Sequence, residues 1–179
     1  RSLDGLAAIS RRRQLSNVRQ FLLYLKQSET RTFIPDRTLE PARTSPRAPH
    51  IYSDGEIRKL LEGALRYGGG PLGPLRNRAY HTLIALLYAS GLRISEALAL
   101  KLGDLDWDQA ILHVRKTKFH KARIVPLAPS TCDGLKRFLT VRAEHGHPTI
   151  RDAPVFLADR AQPFAYGTAN RMFNTVARR

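Results

Sequence analysis

Leu86-Leu87-Tyr88-Ala89-Ser90-Gly91-Leu92-Arg93-Ile94-Ser95-Glu96-Ala97-Leu98 decides how this chain reads. It joins the apolar end of one helix, over about 76–90, to a short second helix over about 94–101. The run Leu83-Ile84-Ala85-Leu86-Leu87 is apolar nearly all round, which places the first helix at the centre of a domain. Gly91 ends it, as a glycine just past a helix terminus does, because glycine takes the left-handed backbone that other residues resist. Arg93 opens the next helix, where unpaired N–H groups and the helix dipole favour an anion. Glu96 lies three residues further on, hence on the same face, where its carboxylate can hold the guanidinium in one rotamer.

Upstream, Ser53-Asp54-Gly55-Glu56 has the form of a capping box, and Ile57, Leu60, Leu61, Ala64 and Leu65 make one helical face. A loop over 68–74 follows. Residues 10–27 read as another helix, with Leu15, Val18, Leu22 and Leu25 spaced by threes and fours and Phe21 beside them. The triplet Arg11-Arg12-Arg13 opens it, either as a solvated helix start or as a phosphate-contacting face. From 28 to 50 the periodicity stops, and Pro35, Pro41, Pro46 and Pro49 alternate with Arg31, Arg37, Arg43 and Arg47. That composition predicts a semi-rigid basic linker, and the domain boundary is placed there.

Downstream the period changes from 3.6 to 2. Leu112 and Val114 alternate with His113 and Arg115, and Arg123-Ile124-Val125-Pro126-Leu127 makes a second strand, with a hairpin turn over 118–122. Residues 105–107 are a candidate third strand. Cys132, Leu135, Phe138 and Leu139 mark a helix ending near Gly146, followed by a buried Val155-Phe156-Leu157 segment. A last helix carries Ala169, Met172, Phe173 and Val176 on one face. The expected fold class is therefore mainly α with a small antiparallel β-sheet.

Charge narrows the function. The 179 residues hold 30 Lys and Arg against 15 Asp and Glu, a net charge of +15. Such a field attracts phosphate polymers, although a basic ribosomal protein would share it. The single Cys132 excludes an internal disulfide or a CxxC site and suggests a reducing, cytoplasmic compartment. The longest apolar run, over 83–89, is far short of the ~20 residues that span a bilayer. The first ten residues lack a signal-peptide apolar region. His145 and His147 flank one glycine with no third ligand nearby, so no metal site is expected.

A second segment, Thr117-Lys118-Phe119-His120-Lys121-Ala122-Arg123-Ile124-Val125-Pro126-Leu127, lies shortly after the first. In this order and separation the two resemble the first active-site box and the catalytic β-hairpin of the tyrosine recombinases, the phage-integrase family. Pro49-His50-Ile51-Tyr52-Ser53 looks like that family's approach to its catalytic domain, and residues 10–27 resemble the last helix of its core-binding domain. The resemblance implies three parts: 1–30 as the end of a helical, SAM-like core-binding domain, 31–50 as linker, and 51–179 as the first part of a tyrosine-recombinase catalytic domain. It implies DNA integration and recombination through a 3′-phosphotyrosyl intermediate. No metal or other cofactor is required, because protein cations stabilise the transition state.

The resemblance also implies roles. Arg93 would bind two non-bridging phosphate oxygens with its fork, which a lysine cannot reproduce. Glu96 would orient Arg93. Lys118, eight residues before Pro126, would protonate the departing 5′-oxygen. An ordinary surface pair is the alternative for Arg93 and Glu96, and a phosphate-contact patch with Arg115, Lys116, Lys121 and Arg123 is the alternative for Lys118. Duplex DNA is the expected partner, with self-association on DNA in the complete protein, no membrane, no small-molecule substrate, and a cytoplasmic, nucleoid-associated location.

The sequence departs from the family after Arg160, where neither its second His-x-x-Arg box nor its nucleophilic tyrosine is found. The string from His120 to Arg123 lies inside the hairpin, and Tyr166 is read as preceding the final helix. A start at Arg1 and a stop at Arg179 fit a piece of a longer recombinase; the other reading is a catalytically incompetent DNA-binding remnant. A general RNA-binding protein would need aromatic RNP motifs or a KH-type loop, and neither is present.

Overall fold

Ser53 caps the first helix of the larger unit. Its hydroxyl accepts from the Glu56 backbone N–H at 3.4 Å, while the Glu56 carboxylate accepts from the Ser53 N–H at 2.8 Å. Four orphan donors begin every helix, and this reciprocal pair satisfies two of them. The chain is represented by a computed structural model that describes residues 8–37, 48–68, 73–115, 122–157 and 162–178. It forms two compact units, Arg1–Ile51 and Tyr52–Arg179.

The first unit contains α1, Ala8–Leu25, displaced by two residues from the expected 10–27. Leu15, Leu22 and Leu25 are half-buried, whereas Val18 and Phe21, assigned to the same stripe, are exposed. After the helix, the Arg19 guanidinium donates to the Pro35 carbonyl, tying residues 26–37 back along α1. Residues 38–47, most of the expected linker, lie outside the described part.

In the second unit α2 (Asp54–Leu65) packs on α3 (Gly73–Ser90) and on α6 (Tyr166–Val176), and α3 packs on α5 (Pro129–Glu144). Buried Leu60 and Ala64 carry the α2 face, while Leu65, expected on it, is exposed. Gly63 lets α2 approach α6, since a Cβ there would lie 2.5 Å from Val176 Cγ1. The core is built on Tyr80, Leu83, Leu86, Leu135, Phe156 and Met172, all nearly inaccessible. Aromatic rings knit it together: Phe138 stacks on Phe156 at 5.8 Å, and Tyr80 meets Phe164 at 5.1 Å. α3 is central, as its apolar sequence predicts. It starts at Gly73, three residues earlier than expected, and buried Asn77 fastens its first turn by accepting from Gly68 N–H and donating to the Leu65 and Gly68 carbonyls.

Gly91 has φ +61° and ends α3, its N–H bonded to the Leu87 carbonyl at 3.0 Å. α4 (Ile94–Leu98) is shorter than the expected 94–101. The chain leaves it because Leu100 accepts from Val155 N–H at 2.8 Å and Lys101 bridges to Pro154, so a strand-like contact competes with further helix. A 3₁₀ turn, Leu102–Asp104, leads into β1 (Leu105–Asp106), β2 (Ile111–Val114) and β3 (Arg123–Pro126). The sheet is antiparallel in the order β1-β2-β3, with Leu112 opposite Val125 and Val114 opposite Arg123. The fold is thus mainly α with a small antiparallel sheet, as expected. The hairpin tip, 116–121, lies outside the described residues, and with it Lys116, Lys118 and Lys121.

Buried Val155, Phe156 and Leu157 form no extended strand; single bridges at Pro154 and at Leu157 itself bound the segment. Tyr166 begins α6 rather than preceding it, a correction to the sequence reading.

Candidate active site

Glu96 is the centre of the site. It lies in the first turn of α4, and its side chain retains 2% of its accessibility. A buried carboxylate is costly unless its oxygens are satisfied, and here they accept four bonds. The Arg93 backbone N–H donates to Oε2 at 3.0 Å and Arg93 Nη1 to Oε1 at 2.9 Å. Arg123 reaches across from β3, with Nη1 on Oε1 at 2.9 Å and Nη2 on Oε2 at 2.7 Å. The Arg123 fork, then the two Arg93 donors, hold the Glu96 carboxyl at a pKa of about 2 against the opposing effect of burial. It is ionised at any physiological pH.

Arg93 points outward from this anchor, 58% of its side chain exposed. Only Nη1 and the backbone N–H are taken up by Glu96, so Nε and Nη2 extend past it. A guanidinium fixed through one edge by a buried acid, and open on the other, can bind an oxyanion without losing rotamer freedom at that moment. The helix start itself adds less than the sequence suggests: α4 has five residues, and the Arg93 N–H is already taken by Glu96. The charge at this position is therefore the side chain's own.

Arg123 has a partner that its sequence reading did not include. Local density of basic residues put it among the phosphate contacts; the register pairs it with Val114, and with 37% of its side chain exposed both terminal nitrogens donate to Glu96. Strand parity carried the signal: Ile124, its neighbour, is the exposed one. Arg115 lies at the end of β2 with its side chain 67% exposed, and its Nε donates to Asp104 Oδ1 at 2.6 Å. Asp104 had been given no role by the sequence reading. Arg11 and Arg13 are exposed on α1 and Arg12 is half-buried. Lys116, Lys118 and Lys121 lie outside the described residues.

Other polar groups are structural. Arg142 is buried on α5 and donates to the carbonyls of Pro148 at 2.6 Å and Pro154 at 2.9 Å, fixing the segment after the helix. His145 Nδ1 lies 2.8 Å from the Val141 carbonyl. Among the described residues no group of three or more His, Cys, Asp or Glu could hold a metal ion, and no helix is long and apolar enough to cross a membrane.

Solved recombinases share this architecture. The Tn1549 transposon integrase in complex with transposon right end DNA superposes with a TM-score of 0.70 at 16% identity, covering 96% of this chain and 58% of that one. The XerA recombinase gives 0.58 at 22%, covering 96% and 54%. At such identities the likeness establishes the fold alone, that of a DNA recombinase.

The sequence settles the family. Residues 55–179 match the phage integrase family, and the chain belongs to it. It is 37% identical over 169 residues to a putative integrase/recombinase, y4rB, of Sinorhizobium fredii, which covers 92% of the chain and 53% of the relative. It is 34% identical over 136 residues to the tyrosine recombinase XerD of Ralstonia nicotianae, covering 76% and 42%. The chain spans about half the length of the curated relatives it matches.

Proposed function

We propose that this chain supplies the phosphate-clamping side of a site-specific DNA recombinase active site. The observation that carries the reading is the buried Glu96 carboxylate holding Arg93 outward at the base of a basic hairpin, in a member of the phage integrase family. Cleavage proceeds by attack of a tyrosine oxygen on a backbone phosphorus. A 3′-phosphotyrosyl bond forms as the bond to the 5′-oxygen breaks. Arg93 stabilises the negative charge gathered on the non-bridging oxygens. Glu96 positions it, and Arg123 completes the neutralisation of Glu96. Lys118 is assigned the proton donated to the leaving 5′-oxygen; it lies five residues before Arg123, which opens β3 and holds the same carboxylate.

Around this centre Arg115, Lys116 and Lys121 contact the DNA backbone, with Arg11, Arg12 and Arg13 as further contacts from the first unit. Residues 1–30 serve as the end of a core-binding domain, 31–50 as linker and 51–179 as catalytic-domain sequence. The complete protein works in the cytoplasm at the nucleoid and self-associates on its DNA site. Several solved recombinases of like fold were captured with DNA, including XerH with its difH substrate, which supports duplex DNA as the partner.

Fluorescence anisotropy with a labelled duplex tests the reading. Counterion release predicts affinity falling steeply, by orders of magnitude, between about 50 and 200 mM salt if about six or more phosphates are contacted. Absence of duplex binding at the lower salt concentration overturns it.

A further inference from the structure

The device at Glu96 occurs a second time. Asp104 sits three residues after Lys101, as Glu96 sits three after Arg93, and each carboxylate accepts the backbone N–H of that earlier residue at 3.0 Å. Each acid is sequestered, with 9% of the Asp104 side chain and 2% of the Glu96 side chain accessible. The second oxygen of each holds an outward-pointing arginine: Arg93 on Glu96 at 2.9 Å, Arg115 on Asp104 at 2.6 Å. Asp104 binds Arg115 through Nε, so both terminal nitrogens of that guanidinium project beyond the contact. Glu96, Asp104 and Arg115 line one groove of about 400 Å³, with Lys101, Arg151 and Asp152 also on its walls. Lys101 and Asp152 pair with each other at 2.9 Å, half and largely exposed respectively, so that pair is weak; Arg115, though paired with Asp104 through Nε, shares the groove wall with Arg151.

We infer that Asp104 is a positioning residue which presents Arg115 as a second, preorganised clamp for a DNA backbone phosphate, separate from the one bound by Arg93. This rests on the DNA-binding reading above. A freely swivelling surface arginine pays rotamer entropy to fix a phosphate; one held at Nε has paid it on folding. The clamp sets the register of the duplex in the groove and carries no base sequence information.

The test measures duplex affinity against salt for the wild-type chain, Arg115→Ala, Asp104→Asn and the double variant. Asparagine keeps an acceptor for the Lys101 N–H, and Arg115→Ala alters an exposed side chain, so both should fold; circular dichroism confirms it. Arg115→Ala should lower the magnitude of the log-log salt slope by about 0.9, one phosphate's worth. Asp104→Asn raises the net charge by one, so bulk electrostatics predicts tighter binding; positioning predicts weaker binding, approaching that of Arg115→Ala. In the Arg115→Ala background Asp104→Asn should then bring no further loss. Unchanged or tighter binding by Asp104→Asn, or equal losses in both backgrounds, overturns the inference while leaving the DNA-binding reading intact. No duplex binding by the wild-type chain overturns both.

Discussion

Arg123 on β3 grips both carboxylate oxygens of Glu96 on α4, at 2.9 and 2.7 Å, across 27 residues of sequence. This fork ties the base of the hairpin to the helix that begins at Arg93. A buried acid that serves two arginines holds one of them by both terminal nitrogens as a strut and leaves the other to face outward. The geometry of the outward arginine is thus fixed by tertiary structure rather than by its own short helix.

Glu96→Gln tests that strut. The folded carboxyl has a pKa of about 2, below the ordinary 4.5, so its contribution is fully present above about pH 4.5 and is lost as pH falls toward 2. The substitution removes hydrogen bonds to charged partners and should destabilise the chain by about 1.5–3 kcal/mol near neutral pH. Urea unfolding of both proteins at about pH 7 and about pH 3 should show the gap between them narrowing in acid. A gap independent of pH contradicts the assignment.

Gly91→Ala isolates the turn before Arg93. A Cβ there would meet nothing within 4 Å, so the penalty is conformational and set by φ +61°. A loss of about 1–2 kcal/mol is expected on unfolding, with Gly91→Asn milder because asparagine visits that region. Equal stability of the alanine variant would show that the turn relaxes to another conformation.

Much of this was legible beforehand, for a local reason. The capping box at Ser53 and Glu56, the glycine stop at 91 and the i,i+3 pairing of Arg93 with Glu96 depend on neighbours a few residues apart, which pattern reveals. The partners of Glu96 and of Arg115 were not legible together, because Arg123 and Asp104 arrive through strand register and a 3₁₀ turn. A cluster of bases hides which of them meets the acid, and only the strand register brings Arg123 to Glu96. The α4 terminus was overextended because the competing contact of Leu100 and Lys101 with Pro154 and Val155 comes from 53 to 55 residues away.

Arg142 is nearly inaccessible, although nothing in the sequence sets it apart from the chain's other bases. Its two carbonyl partners, Pro148 and Pro154, would be left unpaired by Arg142→Met, at a cost of about 2–4 kcal/mol. Arg142→Lys should recover little, since one ammonium replaces a fork that spans two acceptors. Denaturant unfolding gives the magnitude, and faster amide exchange over 147–154 locates it. Wild-type stability in the methionine variant would show that these bonds contribute nothing net.

The account stands on Arg93 as the phosphate-binding group of a DNA cleavage site. Single-turnover cleavage of a cognate duplex, by a cleavage-competent protein that contains this chain, measures it most directly. Arg93→Ala should slow cleavage by on the order of 100- to 1000-fold while duplex affinity changes little, and Arg93→Lys should restore only a small part. Cleavage at the wild-type rate, or a loss matched by an equal loss of binding, would contradict it.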